Sequence, residues 1–367
     1  MKRMPRKGAL AALLLSALVS TGASSRDAIE TKPTPDPLAA EIARLKTSLA
    51  SSTASGGLWD DVRRGSEPML LRAEAALQDG RRLLALNRLA AAREGLSAAS
   101  YVYSLPDTVR QDPGRFEAEW RRVGELLRPG LAAPPGPTTL DDLQPAAARA
   151  IGEAALPQVR VYYEASLDYG RSTSPDSGLY YMGSALAQRE LPALLRSLAA
   201  KAEAPAPRLR SLEGELRALE AEILAAYRPP ASIERHVDFI RASAALKEAR
   251  ELDALGLRHG ALLRYLQSLQ RFAPVAPAPA TPETLEAKLR QYERRLAAAE
   301  VDHTIGRLFL ETAQALAAPG KDQDEAAARA IASSVLPRYF AALEPAAALA
   351  PRPAARATVT LVRWPYT

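Results

Sequence analysis

The sequence has no cysteine, only three histidines and few aromatic residues. The missing cysteines exclude disulfides, thiolate nucleophiles, cysteine-ligated zinc and covalent haem attachment. β-Branched residues are also sparse, whereas alanine alone supplies 75 of the 367 residues and leucine, arginine and glutamate are abundant. These abundant residues are strong helix formers, and strands favour the residue types that this chain has little of. The composition therefore predicts an all-α protein and disfavours a sandwich, a barrel or a doubly wound sheet.

The excess of positive charge is concentrated at the N-terminus. The whole chain carries +6, but residues 1–23 hold four basic and no acidic residues, which leaves +2 for the remainder. A basic start, an apolar run over residues 8–19 and small residues at Thr21 and Ala23 are typical of a secretory signal peptide. We therefore predict cleavage near Ala23 and export to the periplasm or the medium.

The charge and the length of the apolar run also bear on partners. A near-neutral chain without clustered Lys and Arg predicts no nucleic-acid partner. The run over residues 8–19 is shorter than the roughly 20 residues that a membrane span needs, so we predict no transmembrane span in the mature chain. The sequence leaves the oligomeric state open.

Proline and glycine divide the chain into segments. A polar, proline-punctuated arm and a long region of helical composition follow the signal, and a proline-rich linker and a strand-like tail end the chain. The predicted segments are the arm at 24–37, the helical domain at 38–343 with candidate sub-boundaries near 129–139 and 273–282, the linker at 344–353 and the tail at 354–367.

The clearest helical periodicity follows Pro282. Leu285, Leu289, Tyr292 and Leu296 recur at spacings of four and three, which predicts one buried stripe on a helix. The spacing continues to His303, and we expect one long helix through this region. We also expect kinks or breaks at three prolines inside helical segments, because proline lacks the backbone donor and clashes with the preceding turn. These are Pro157, Pro192 and Pro337.

Two segments of the chain match each other at an offset of 176 residues. Residues 69–93 align with residues 245–269, and the shared frame includes a glycine, a small alanine five positions later and a large residue four positions after that. Glycine can end a helix in the left-handed conformation, and a small residue lets two helices approach closely. We predict a helical hairpin in each segment. The hairpin residues are Gly80, Ala85, Gly256, Ala261 and Tyr265.

This frame resembles the tetratricopeptide repeat. Gly256, Ala261 and Tyr265 match the turn glycine, the alanine and the aromatic residue of that family, and Gly80 and Ala85 match the first two. The opening tryptophan and a tandem 34-residue period are missing, so the resemblance is partial. It implies stacked antiparallel helical hairpins in the manner of an α-solenoid. An irregular bundle with similar hairpins is the alternative.

No catalytic or cofactor motif stands out. A phosphate loop, a dinucleotide fingerprint and a nucleophile elbow are all missing from the sequence. Glu300 and His303 have the spacing of a di-iron ligand pair, but that site needs a second copy of the motif. We predict no metal, no cofactor and no enzymatic activity.

Two features are candidates for partner binding. Tyrosines cluster near helix ends, where an amphipathic ring suits either a binding groove or core packing. The tail is β-branched and alternating, which suits either pairing with a partner or packing on the protein's own helices. The candidate residues are Tyr162, Tyr163, Tyr180, Tyr181, Leu361, Arg363, Trp364 and Tyr366.

Three functions are compatible with these features. The one that we favour is an exported, non-catalytic scaffold or adaptor that binds protein partners in the cell envelope. The second is a periplasmic protein that holds a small molecule or glycan in a tyrosine-lined groove. The third is an all-α envelope enzyme, which would need a buried glutamate whose pKa is raised by desolvation.

Overall fold

The computed structural model describes residues 36–51, 57–132, 136, 139–199, 204–275, 284–298, 300–320 and 323–343. A 3-10 turn at Ile233–Arg235 leads into the helix that begins at His236, and a π-helical segment at Ile331–Val335 joins the helix that ends at Ala330 to the one that begins at Leu336. The helices are α1 (Pro37–Ser51), α2 (Gly57–Gln78), α3 (Arg82–Ser104), α4 (Asp107–Gln111), α5 (Pro113–Ala132), α6 (Ala146–Ser172), α7 (Pro175–Leu198), α8 (Glu213–Ala226), α9 (His236–Ala254), α10 (Arg258–Phe272), α11 (Leu285–Ala297), α12 (Thr304–Ala317), α13 (Glu325–Ala330) and α14 (Leu336–Ala342).

The predicted all-α class is confirmed. Within the described ranges the only β-type pairing is an isolated antiparallel bridge between Leu209 and Leu343. None of the helices described combines the length and the apolar character that crossing a bilayer requires.

A central hairpin of α6 and α7 organises the helices. α3 packs against α7 on one side, and α10 packs against α6 on the other. Glycine permits close approach at both contacts. A Cβ at Gly183 would lie 2.8 Å from the Cα of Ala98, and a Cβ at Gly260 would lie 2.9 Å from the Cβ of Glu153. Since real Cβ atoms do not approach so closely, both contacts depend on the missing side chain.

The two matching segments form hairpins with the same turn. Gly80 and Gly256 both have φ of +76°, the left-handed conformation that glycine adopts without strain. The next N–H donates five residues back in each: Arg81 to Ala76 at 2.8 Å, and Leu257 to Leu252 at 2.9 Å. This is the Schellman pattern, which satisfies carbonyls at the end of a helix.

The remaining hairpin residues lie where the two helices of each pair meet. Ala85 and Ala261 are fully buried, and Leu89 and Tyr265 fill equivalent positions one turn later. α2 and α9 with its 3-10 turn begin at equivalent residues, 57 and 233, and end at equivalent residues, 78 and 254. The duplication therefore extends beyond the aligned segment. The resemblance to tetratricopeptide repeats stays a prediction, because hairpins with this turn occur in other helical folds.

One hydrophobic core runs through most of the described helices. It extends from Leu38 in α1 to Ala342 in α14, and so includes residues on both sides of the two candidate sub-boundaries. A smaller cluster around Phe116 joins α5 to the central hairpin. Asp36, near the C-terminal end of the predicted arm, caps α1 by accepting the N–H of Leu38 at 2.9 Å.

The helices depart from expectation at two places. α6 and α7 run through Pro157 and Pro192 without the expected breaks. The stripe of α11 is buried as predicted, but the helix ends at Ala297, and His303 precedes α12 instead. Asp302 sets the new start, since its carboxylate accepts the N–H of Thr304 at 2.8 Å. The interruption near Pro337 takes the form of the π-helical segment.

The predicted signal peptide at 1–23, most of the arm, the linker at 344–353 and the tail at 354–367 lie outside the described residues. The same holds for Leu361, Arg363, Trp364 and Tyr366.

Candidate functional site

Four tyrosines of the central hairpin form a continuous surface. The ring of Tyr181 stacks on Tyr169 with centroids 4.5 Å apart, lies 6.0 Å from Tyr162 and meets Tyr180 edge-on at 6.2 Å. Tyr169 is 44% exposed and the other three are half-buried. We call this group the tyrosine face, defined by Tyr162, Tyr169, Tyr180 and Tyr181.

Tyr163 does not belong to this face, although the sequence placed it with its neighbours. It is buried in the smaller core cluster and stacks on Trp120 with centroids 4.8 Å apart. Its hydroxyl donates to the Trp120 carbonyl at 3.1 Å. Adjacent helical residues point about 100° apart, and here the rotation turns Tyr163 into the smaller core cluster while Tyr162 faces Tyr181.

Glu94 of α3 borders the tyrosine face. Its carboxylate accepts a hydrogen bond from the Gln188 amide. Burial raises the pKa of Glu94 above its ordinary value, because Tyr162, Gln188 and the charge of Arg264 offset only part of the desolvation. α3, α6 and α7 therefore meet around the partly desolvated carboxylate of Glu94.

An ion pair borders the other side. Arg264 of α10 and Glu248 of α9 lie 2.8 Å apart, with side chains 21% and 31% exposed. The Nε of Arg264 and the Oε2 of Glu248 are buried, yet their geometry makes no aligned hydrogen bond. α9 and α10 both pack on α6, which carries Tyr162 and Tyr169, so the pair lies on helices next to the tyrosine face. The site thus combines aromatic surface with an acid, an amide and a guanidinium from five helices.

Other buried carboxylates serve as helix caps. Glu153 accepts the N–H of Gly260 at 2.8 Å, and Glu311 accepts the N–H of Leu84 at the same distance. Asp302 accepts the N–H of Ala146 at 2.6 Å, and Asp253 accepts that of Leu212 at 3.1 Å. A negative group at a helix N-terminus satisfies free donors and complements the dipole. Each of these acids therefore has a structural role.

The histidines are dispersed. His303 Nδ1 lies 2.7 Å from the Tyr339 hydroxyl, and His236 Nδ1 lies 2.7 Å from the Tyr227 hydroxyl. His259 is buried, with Nδ1 3.7 Å from Glu153. Over the part of the chain that the structure describes, no three His, Asp or Glu side chains converge as metal ligands would.

Sequence reasoning found three of the four tyrosines but missed Glu94, Gln188, Glu248 and Arg264. α10 carried a signal. It is buried at almost every position, and its few less buried residues recur every three to four positions, starting at Arg264. Such a polar stripe indicates that one side of this otherwise buried helix reaches the protein surface.

No protein-family model, no curated protein and no solved structure matches this chain.

Proposed function

We propose that this protein is an exported helical scaffold that binds a polypeptide segment on the tyrosine face. The observation that carries the proposal is the convergence on one surface of stacked, partly exposed tyrosines with Glu94, Gln188 and Arg264. Tyrosine and arginine are enriched at protein interfaces, where rigid rings give contact area at a low entropic cost.

The polar border suits a polypeptide backbone. Glu94, Glu248 and Arg264 are half-buried, so their side chains bring acceptor and donor groups to the edge of the tyrosine face. A peptide presents alternating N–H and C=O groups that could use both kinds of atom. The central hairpin is held by close glycine contacts on both sides, so the surface is rigid before a partner binds.

A photo-crosslinking experiment tests the proposal. A benzophenone amino acid replaces Tyr181 on the tyrosine face, and in a matched control it replaces Tyr227, a half-buried tyrosine that stacks on Phe239 instead. We expect an adduct in the envelope fraction with the Tyr181 variant, not with the Tyr227 variant, and we expect protease to shorten its captured part. A protease-resistant glycan adduct, or equal adducts from both variants, would contradict it.

Export is tested separately. N-terminal sequencing of the protein recovered from the envelope or medium should begin just after Ala23. Recovery of the intact chain from the cytoplasm alone would contradict the export half of the proposal, independently of the crosslinking result.

A further inference from the structure

The 3-10 turn before α9 and the first turns of α9 itself carry an apolar stripe that faces solvent. Ile233 and Val237 are each 56% exposed, and Ile240 is 50% exposed. At 100° per residue, these positions lie on the side of the helix opposite to the buried Ala242, Ala245 and Ala249. We call Ile233, Val237 and Ile240 the outer stripe. A helix that is apolar on both sides is normally covered on both sides.

The matching hairpin shows that the fold does not require this stripe. At the offset of 176 residues, Ile233, Val237 and Ile240 correspond to Gly57, Asp61 and Arg64 of α2. Asp61 and Arg64 form an exposed ion pair there. The same face of the same hairpin is therefore charged in one copy and apolar in the other. The apolar version has a cause outside the hairpin itself.

We propose that the outer stripe is the docking site for the C-terminal tail, residues 354–367, of the same chain. The tail contains a run of large apolar residues that includes Val362, Trp364 and Tyr366. These three occupy alternate positions, which share one side of an extended chain and span about 13 Å. The outer stripe spans about 10 Å along its helix, so the lengths correspond.

The start of the linker lies within reach of the stripe. Leu343 pairs with Leu209, just before α8, and Arg338 of α14 lies 2.9 Å from Glu222 near the other end of α8. The path to α9 therefore follows α8, which is about 21 Å long at 1.5 Å per residue. The proline-rich linker at 344–353 reaches about 31 Å in an extended conformation. A tether of this length holds the tail at an effective concentration of millimolar order.

Charge bears on the direction in which the tail lies. From residue 345 onward the tail and its linker contain three arginines and no acid. Exposed Glu234 adjoins Ile233 at one end of the outer stripe and lies 3.7 Å from Arg235, whereas exposed Arg241 adjoins Ile240 at the other end. Arg363 lies between apolar residues of the tail, so it can approach Glu234 when the tail packs on the stripe. A surface pair of this kind sets orientation more than affinity.

Disulfide trapping tests the proposal, since the chain has no cysteine of its own. The mature chain carries Trp364→Cys together with Ile240→Cys. The matched control carries Trp364→Cys with Leu71→Cys, because Leu71 on α2 has the same 50% exposure as Ile240. We expect the Ile240 pair to close within one molecule at least about tenfold faster than the control. Adding Val237→Asp to the Ile240 pair should remove most of this advantage.

Two outcomes would overturn the proposal. Equal closure rates for the two pairs would mean that the tail does not select the stripe. Disulfides formed between molecules, at a rate that rises with concentration, would show a second copy as the occupant. Hydrogen exchange gives an independent readout: amides of residues 233–244 should exchange severalfold faster in a chain ending at Pro353 than in the mature chain. Unchanged exchange would count against docking.

Discussion

The hairpins α2–α3 and α9–α10 share a turn and a cap but differ in how the cap is charged. Glu311 caps α3 and Glu153 caps α10, each through a 2.8 Å bond at an equivalent backbone N–H. Burial raises the pKa of Glu311 above its ordinary value. Burial acts in the same direction on Glu153, but His259, Arg149 and the Gly260 N–H outweigh it and lower the pKa.

The difference follows from the side chains that surround each cap. Arg149 donates to Glu153 at 2.7 Å, whereas no guanidinium hydrogen-bonds to Glu311 among the described residues. Glu311 instead borders a cavity of about 470 Å³ that Arg81 and Arg307 also line. Equivalent burial and equivalent backbone donors thus leave the ionisation of a cap undetermined, and a paired side chain decides it.

The largest expected effect comes from giving α10 the residue that α3 has at the equivalent position. Leu84 in α3 corresponds to Gly260 in α10. A Cβ at Gly260 would lie 2.9 Å from the Glu153 Cβ and 3.0 Å from the Ala154 nitrogen. Gly260→Leu should therefore destabilise the protein by about 4 kcal/mol or more, and Gly260→Ala by about 2 kcal/mol, as measured by urea unfolding.

Gly214 supplies the control for this prediction. It lies in the first turn of α8, and no atom lies within 4 Å of the Cβ that alanine would add. Gly214→Ala should leave stability unchanged or raise it by up to about 1 kcal/mol. A Gly260→Ala variant as stable as Gly214→Ala would mean that α10 and α6 are not in close contact.

The next effect separates the two caps. Glu153→Gln should cost about 2–3 kcal/mol at neutral pH, because it removes the charge paired with buried parts of Arg149. Glu311→Gln should change stability by less than about 1 kcal/mol, since glutamine can still accept the Leu84 N–H. Chemical unfolding of both variants beside the parent protein measures the difference.

The pH dependence of the two caps should have opposite signs. The lowered pKa of Glu153 gives stability that is present above the ordinary value of 4.5 and is lost as pH falls through its folded-state pKa. The raised pKa of Glu311 gives stability that is present below 4.5 and is lost as pH rises through its folded-state pKa. Relative to the parent protein, the free energies of unfolding of Glu153→Gln and Glu311→Gln should therefore change in opposite directions as pH rises through 4.5. Parallel profiles for the two glutamine variants would contradict the assignment.

Local chemistry explains what the sequence could predict of the fold. Gly80 and Gly256 end helices through their own backbone freedom, so the two hairpins were accessible. Prolines were a poorer guide, because α6 and α7 continue through Pro157 and Pro192. The end of α11 could not be predicted in this way, because it depends on Asp302. That residue caps α12 and also bonds to the N–H of Ala146, 156 residues away in sequence. Periodicity carries no information about such a contact.

The candidate site was less accessible than the fold. Tyrosine clustering pointed to Tyr162, Tyr180 and Tyr181, but Glu94 and Arg264 are brought together only by packing of α3 and α10 on the central hairpin. Clustering could not show that Tyr163 packs on Trp120 in the smaller core cluster, because that contact joins α5 to α6.

A smaller and symmetrical effect is expected at the turns. Gly80→Ala and Gly256→Ala each force a side chain into a left-handed conformation at φ of +76°. Each should cost about 1–2 kcal/mol. The double variant should lose the sum, because the two turns share no partner and behave independently. Urea unfolding of the three variants checks both points, and a clearly unequal pair would mean that the turns are not equivalent.

The smallest effect is expected on the outer face of the hairpins. Val237→Asp with Ile240→Arg copies the ion pair of α2 onto α9. In a chain ending at Pro353 this exchange should change stability by less than about 0.5 kcal/mol, because exposed positions and exposed ion pairs contribute little. In the mature chain it should cost more, by the amount that tail docking contributes. An equal change in both chains would leave the apolar face of α9 without an occupant from its own tail, whereas a change confined to the longer chain would identify the tail as the reason why the two hairpins differ on this face.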